Sequence, residues 1–244
     1  MNTKYNNWFD SKYYHILYKN RNHKEAKIFI KKLLEHINLN TYSKVLDAGC
    51  GKGRHSIEIE KLGHLVTGVD LSENSIKFAK KFENPNLKFL VHDISKPLNT
   101  EFDVVLNLFT SFGYYEREKD LEILLSLEKN LKNNGTGVID FLNIKTVKKN
   151  LVKHEQVTID NLKFKIKRKI NKLSVIKEIS FNDKNIDYKF QESVNTLSLK
   201  DFEKYFKNTN LKIIKIFGDY DLNEFVEKKS PRLIIIFKKK SQSN

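Results

Sequence analysis

Apolar residues recur along this chain with two different periods, and the switch between them divides it. From Lys24 to Ile37, the residues Ala26, Ile28, Phe29, Ile30, Leu33, Leu34 and Ile37 fall on one helical face. Short apolar runs at Val45–Leu46, Leu65–Val69, Leu87–Val91, Val104–Leu108 and Val138–Phe141 read as strands. Helical segments lie between them. His55 to Leu62 stops at Gly63, Ser72 caps a helix through Phe82 that brings Ile76, Phe78 and Ala79 inward, and Leu121 to Leu131 carries a leucine stripe. Strand and helix in alternation predict an α/β fold, a parallel sheet covered by helices.

Beyond that half the period falls to two. Val157 to Ile159, Leu162 to Ile170, Leu173 to Phe181 and Tyr188 to Thr196 alternate apolar and polar, as in Phe164 and Ile166 or Val175, Ile179 and Phe181. Asn161, Asn171–Lys172 and Asn182–Asp183 mark the turns, so antiparallel strands are expected. Ser198 then caps a helix through Phe206, with Asp201 at its third position in a partial capping box. Leu211 to Phe217 and Leu233 to Phe237 are two further strands. The β-rich piece is too small to bury a core alone and is expected to act as a lid on the main sheet. One domain over residues 1–244 follows: an N-terminal helical cap at 1–40, a central half at 41–142, the β-rich insertion at 143–197, and a closing helix with the last two strands at 198–244.

Composition changes this picture little. Hydrophobic residues make up 39% and charged residues 31%, enough apolar material for a core. Cys50 is the single cysteine, which excludes an internal disulfide framework and suits a reducing compartment. Met1 to Asp10 holds no apolar run of signal-peptide length, and Leu233 to Phe237 is too short to span a bilayer, so a cytoplasmic protein with no membrane partner is expected. The net charge of +15 raises nucleic acid as a partner. Only five of the 45 basic residues are arginines, however, and the 40 lysines are spread along the chain apart from the tail Lys238 to Lys240. Lysine on solvated faces serves solubility, whereas arginine makes bidentate phosphate contacts, so nucleic acid is a possible but not a favoured partner. Nothing in the pattern specifies an oligomeric state.

The chemistry concentrates in Lys44-Val-Leu-Asp-Ala-Gly-Cys-Gly-Lys-Gly-Arg-His55: a strand, an acid, a glycine loop and a helix start. Gly49, Gly51 and Gly53 permit backbone angles and close approach that a Cβ would block. The helix starting near Arg54 turns free N–H groups toward the loop and favours a carboxylate there, while Asp47 favours an ammonium group. The methionine end of S-adenosylmethionine carries both charges. A dinucleotide site fits less well, because its G-x-G-x-x-G pattern meets Arg54 where Gly or Ala is wanted, and Asp47 would face a pyrophosphate. Asp70 ends the second strand, where a carboxylate can accept both ribose hydroxyls. Asp93 ends the third and is placed for an adenine amino group, with Ile94 beside it to cover the ring.

The segments VLDAGCGKGRHS, VTGVDLSENSI, LVHDI and FDVVLNLFTSFGYY resemble the successive motifs of class I S-adenosylmethionine-dependent methyltransferases, over roughly residues 40 to 142. WFDSKYYHILYK and the closing strands resemble a branch with a β-rich insertion that contains small-molecule methyltransferases of the sugar-amine type. The resemblance implies a Rossmann-like three-layer sandwich whose mostly parallel seven-stranded sheet has a reversed last strand, with the antiparallel insertion as lid. It implies S-adenosyl-L-methionine as cofactor, held by Tyr14, Tyr18, Asp47, Ala48, Gly49, Gly51, Gly53, Arg54, Asp70, Leu71, Ser72, Asp93, Ile94, Asn107, Leu108 and Phe109. It also implies that Leu108 to Tyr114 line the transfer site, with Ser111, Tyr114 and Arg232 on the acceptor, and that the insertion and Gly218 to Arg232 close over it.

A hydroxyl acceptor needs a base, for which His92, Tyr114, Tyr115 and His154 are candidates; an amine needs only deprotonation. Asn107-Leu-Phe-Thr110 stands where an adenine-N6 enzyme would have N-P-P-Y, and Cys50 lies in the loop rather than where a C5-pyrimidine nucleophile would act. The histidines at 15, 23, 36, 55, 64, 92 and 154 show no HxxH or HExxH spacing, so no metal site is expected. Three functions remain: methyl transfer to nitrogen or oxygen of a small-molecule acceptor, methyl transfer to RNA or protein, and non-catalytic sensing of the cofactor.

Overall fold

The computed structural model describes residues 8–19 and 23–240. Residues 1–7, 20–22 with Arg21, and 241–244 lie outside them, so the expected cap and closing segment are described only in part. In chain order the elements are α1 (Lys12–Leu17), α2 (His23–His36), β1 (Lys44–Ala48), α3 (Arg54–Lys61), β2 (Leu65–Asp70), α4 (Glu73–Ala79) and β3 (Leu87–Val91). Then come β4 (Phe102–Asn107), α5 (Arg117–Lys129), β5 (Leu131–Leu142) and α6 (Ile144–Lys149). β6 (His154–Ile159), β7 (Leu162–Ile170), β8 (Ser174–Asp183) and β9 (Ile186–Asn195) follow, and α7 (Leu199–Lys207), β10 (Leu211–Phe217) and β11 (Arg232–Lys239) close the chain.

Seven strands form the main sheet in the order β10-β11-β5-β4-β1-β2-β3. β1 pairs in parallel with β2 and β4, and β11 runs antiparallel to both β5 and β10. This is the expected mostly parallel sheet with a reversed last strand. The chain builds outward from β1 in one direction and restarts at β4 in the other. That switch opens a crevice at the carboxyl ends of β1 and β4. Alternation along the strands separates two cores. Val104, Leu106, Ile234 and Ile236 pack on Phe29, Ile30 and Leu33 of α2 and Ile57 and Ile59 of α3. Val105, Ile139, Leu233 and Ile235 pack on Ile123, Leu124 and Leu127 of α5 and Phe202 and Phe206 of α7.

The insertion is a separate four-stranded antiparallel sheet, β6-β7-β8-β9. Its inward residues Phe164, Ile166, Ile179 and Phe181 bury against Trp8, Tyr13 and Leu17 of the N-terminal segment, a third core. Each such fully buried side chain contributes about 1.5–3 kcal/mol, so segment 8–19 and the insertion complete one another.

Four expectations need correcting. Phe78 is 38% exposed rather than inward. At 100° per residue it stands about 200° round the helix from buried Ile76, on the far side. Leu131 belongs to β5, not to the preceding helix, because it pairs with Phe102 at the sheet margin and packs in the second core. That helix begins at Arg117, four residues before its leucine stripe. The β8–β9 turn falls at Lys184 and Asn185, not Asn182–Asp183, with both residues left-handed (φ 52° and 64°) and Asp183 paired to Ile186 across it. A two-residue turn of that hand matches the strand twist.

Candidate functional site

The loop after β1 is held from below. The N–H groups of Gly49 and Cys50 both donate to the Val69 carbonyl, at 2.8 and 2.9 Å, and the Gly53 N–H donates to the Cys50 carbonyl at 3.0 Å. Gly49, Gly51 and Gly53 all adopt left-handed angles (φ 87°, 54° and 80°), but for different neighbours. A Cβ on Gly49 would lie 2.6 Å from Ser111 Cβ, and one on Gly53 would lie 2.5 Å from the Phe89 ring. A Cβ on Gly51 would meet nothing within 4 Å; it would project into open space.

That space is a cavity of about 420 Å³ lined by Tyr14, Tyr18, Gly49, Gly51, Arg54, Asp70, Ser72, Leu108, Phe109, Ser111 and Tyr114. Asp70 braces its floor, with Oδ2 accepting from the Gly51 N–H and Oδ1 from the Ser72 N–H, each at 2.8 Å. Burial raises its pKa against those bonds, and each oxygen has capacity for a further donor. Phe9, His15, Lys52 and Phe78 also line the space, none of them expected as a site residue from the sequence. Burial and the neighbouring Lys52 lower the His15 pKa to about 4, so its imidazole is neutral.

The remaining expected cofactor residues do not line this cavity. Asp47 is 1% exposed beneath the loop and accepts from Ser56 Oγ at 2.6 Å. Burial pushes its pKa up to about 6, against the Ser56 bond. The Ala48 carbonyl accepts from the Nδ2 of fully buried Asn107 at 2.8 Å. Gly53 packs on Phe89, Leu71 is half-buried between Asp70 and Ser72, and Ile94 borders the second core. Asp93 Oδ1 accepts from both N and Oγ of Ser95, at 2.9 and 2.8 Å.

A second cavity, of about 570 Å³, adjoins the first, and Tyr18, Phe109, Thr110 and Tyr114 line both. Phe109 and Thr110 stand consecutively in the left-handed region, at φ 57° and 59°. Such residues cost about 1–3 kcal/mol each and persist only where the surroundings over-determine them. Asp140 does so here. Its Oδ2 accepts from the Phe109 N–H at 2.8 Å and from Tyr220 Oη at 3.0 Å, and its carbonyl accepts from the Thr110 N–H at 2.9 Å. Arg232 donates to Asp140 Oδ1 from Nε at 2.8 Å and to Thr110 Oγ1 at 2.9 Å. The expected acceptor residue Arg232 therefore lines the second cavity as part of a buried clamp on the turn between the two.

Of the base candidates, only Tyr114 lines either cavity. Burial, with Glu192 and Tyr14 nearby, pushes its pKa well up, so the hydroxyl keeps its proton at neutral pH. Burial and the carboxylates of Asp93 and Asp70 raise Tyr115 to about 12. His92 Nε2 lies 2.7 Å from the Lys96 carbonyl, and His154 is exposed at the start of β6. Glu25, Arg168, Lys177, Glu192, Asp219 and Tyr220, none of them named singly from the sequence, also line the second cavity; all but Glu25 lie in the insertion or in Gly218 to Arg232, the segments expected to close over an acceptor. The signal for two of them was present: Lys177 shares a strand face with Val175 and Ile179, and Glu192 shares one with Phe190 and Val194.

No helix among the described residues is long and apolar enough to cross a membrane, and no group of three or more His, Cys, Asp or Glu residues among them could hold a metal ion.

Sheet order, glycine loop and strand-end acids together define the fold of class I S-adenosylmethionine-dependent methyltransferases. Residues 45–135 match the family model of a methyltransferase domain. The chain is 33% identical over 100 residues to a probable S-adenosyl-L-methionine-dependent methyltransferase, TehB, of Haemophilus influenzae, covering 39% of this chain and 35% of that protein. It thus spans about a third of that relative's length. A crystal structure of an S-adenosylmethionine-dependent methyltransferase from Clostridium acetobutylicum superposes with a TM-score of 0.79 at 21% identity, covering 94% of this chain and 96% of the other. An amino pentose methyltransferase from Micromonospora echinaspora, solved with S-adenosylmethionine bound, gives a TM-score of 0.67 at 14% identity, covering 94% and 97%.

Proposed function

We propose that this chain is an S-adenosylmethionine-dependent methyltransferase that moves a methyl group to a nitrogen or oxygen of a small-molecule acceptor. The supporting observation is the junction of the two cavities at Tyr18, Phe109, Thr110 and Tyr114. The 420 Å³ cavity suits the cofactor: Gly51 leaves its wall open where any Cβ would intrude, and Asp70 offers a carboxylate to a diol. The 570 Å³ cavity is of the size that encloses a small ligand, and the relative with a bound cofactor acts on an amino pentose.

S-adenosylmethionine, when bound, supplies a methyl group activated by its sulfonium for in-line displacement. The chain's task is alignment, which can lower a barrier by up to ~7–11 kcal/mol. The Asp140–Arg232 clamp fixes the Phe109–Thr110 turn, and so the spacing between the two ligands. Tyr14 and Tyr18 cover the cofactor, while Val175, Lys177, Glu192 and Val194 of the insertion wall the acceptor and exclude water. Tyr114, held protonated, can donate a hydrogen bond but does not take a proton. Cytoplasmic residence accords with the lone buried thiol of Cys50.

The test is methyl transfer from labelled cofactor in extracts of small metabolites, RNA and protein. Label in a small molecule is expected. Label confined to RNA or protein, or cofactor binding without any transfer, would overturn the proposal.

A further inference from the structure

Glu192 stands on β9 in the wall of the acceptor cavity and does not line the cofactor cavity. Its carboxylate nevertheless accepts from Trp8 Nε1 at 2.6 Å and from the Tyr18 hydroxyl at 3.0 and 3.1 Å. Lys177 Nζ donates to the same tyrosine hydroxyl at 2.6 Å and lies 3.6 Å from Glu192. The side chains of Glu192 and Lys177 are each 13% exposed, and Trp8 is fully buried. A charge so enclosed is tolerated only when paired and hydrogen-bonded. All three partners are supplied here, two of them from the N-terminal segment.

That segment roofs the cofactor cavity with Phe9, Tyr14, His15 and Tyr18. Between Trp8 and Tyr18, Asp10 accepts from Ser72 Oγ at 2.6 Å, Asn74 N–H at 2.9 Å and Asn74 Nδ2 at 2.8 Å, next to Asp70. The roof is thus pinned to the main domain by Asp10 and to the insertion by Glu192. Apolar packing of Trp8, Tyr13 and Leu17 on the insertion holds the segment down, but it is non-directional and does not orient the Tyr18 hydroxyl. Glu192 and Lys177 do.

We propose that Glu192 is a positioning residue that couples cofactor binding to the shape of the acceptor cavity, acting through Trp8 and Tyr18. The inference rests on the functional reading above. Cofactor beneath the roof fixes Tyr18, Tyr18 fixes Glu192 and Lys177, and the acceptor wall is set before an acceptor arrives. Coupling of this kind is reciprocal: if the wall orders the roof, ligand under the roof orders the wall.

The experiment is calorimetric titration of the full chain with S-adenosylhomocysteine, with hydrogen exchange followed across residues 174–195. Glu192→Gln and Tyr18→Phe are each expected to weaken binding by about tenfold to a hundredfold, the scale of a hydrogen bond to a charged group. The double variant should be no weaker than the poorer single one, because both act on the same contact. In the wild type, S-adenosylhomocysteine should slow exchange over 174–195, and Glu192→Gln should abolish that protection. Unchanged affinity in Glu192→Gln, losses that multiply in the double variant, or no ligand protection of 174–195 in the wild type would each overturn the proposal. Should Glu192→Gln fail to fold, Trp8→Phe removes the indole donor, together with part of the buried ring. It must weaken binding, and unchanged affinity refutes the coupling. If the wild type does not bind S-adenosylhomocysteine, the functional reading falls and takes this inference with it; the failures above leave that reading standing.

Discussion

Alanine at Gly51 should separate folding from binding, and alanine at Gly53 should not. Both residues hold left-handed angles, which cost a residue bearing a Cβ about 1–2 kcal/mol. At Gly51 that is the whole structural cost, since a Cβ there has nothing within 4 Å. For a domain of this length about 1 kcal/mol shifts Tm by roughly 2–4 °C, so Gly51→Ala should melt about 2–8 °C lower and remain folded. The methyl group stands where the cofactor would lie against the backbone, and affinity for S-adenosylhomocysteine should fall by about tenfold or more. At Gly53 the Cβ would lie 2.5 Å from the ring of Phe89, which is 0% exposed and has no room to retreat. Overpacking adds about 1–3 kcal/mol to the backbone strain, so Gly53→Ala should be the less stable protein. Thermal melts and calorimetry on both variants decide the matter. Wild-type affinity in Gly51→Ala would refute the placement of the cofactor against this loop. Equal melting of the two variants would refute the packing argument.

Asp47 supplies a pH prediction. Burial lifts its folded pKa from 3.8 to about 6, so the folded state holds more protons than the unfolded state between those values. Stability without ligand should therefore fall as pH rises from about 4 to 6, and Asp47→Asn should flatten that slope; denaturant unfolding across the range checks it. Arg232→Met should cost about 3–5 kcal/mol, because it strands the fully buried Asp140 carboxylate, whereas Asp140 and Arg232 replaced together should recover part of the loss. Urea unfolding of the single and double variants measures this. Tyr114→Phe should leave the pH profile of methyl transfer unchanged, since burial keeps the hydroxyl protonated throughout the working range; loss of a rise in rate with increasing pH would restore the tyrosine as a base.

The sheet was legible because its signals are local. Leu87–Val91, Leu162–Ile170 and Leu211–Phe217 are strands over the lengths that their apolar runs imply. Ser72 and Ser198 cap the helices they precede, the latter in a full capping box. The glycine loop was legible for the same reason: glycine spacing is a statement about backbone angle, and Gly49, Gly51 and Gly53 all take the left-handed region. What lay hidden depends on distant contacts. Leu131 fits a helical stripe by spacing, and only its pairing with Phe102 makes it sheet. The wall of the second cavity was hidden differently. Lys177 and Glu192 look like surface charges until their place in the two-residue period is weighed, and their partners Trp8 and Tyr18 lie at the other end of the chain.

The shared core of the N-terminal segment and the insertion bears on how the protein is made. Tyr18 and Glu192 are separated by 174 residues. At about 5–20 residues per second, the ribosome adds Glu192 roughly 9–35 s after Tyr18. For most of that interval, until β7 and β8 are made, Trp8, Tyr13 and Leu17 have no sheet to bury against, so an early stretch of the nascent chain is among the last to settle. An aromatic cluster left waiting this long is a natural client for a holding chaperone, and a slow-translating stretch before β8 would lengthen its exposure.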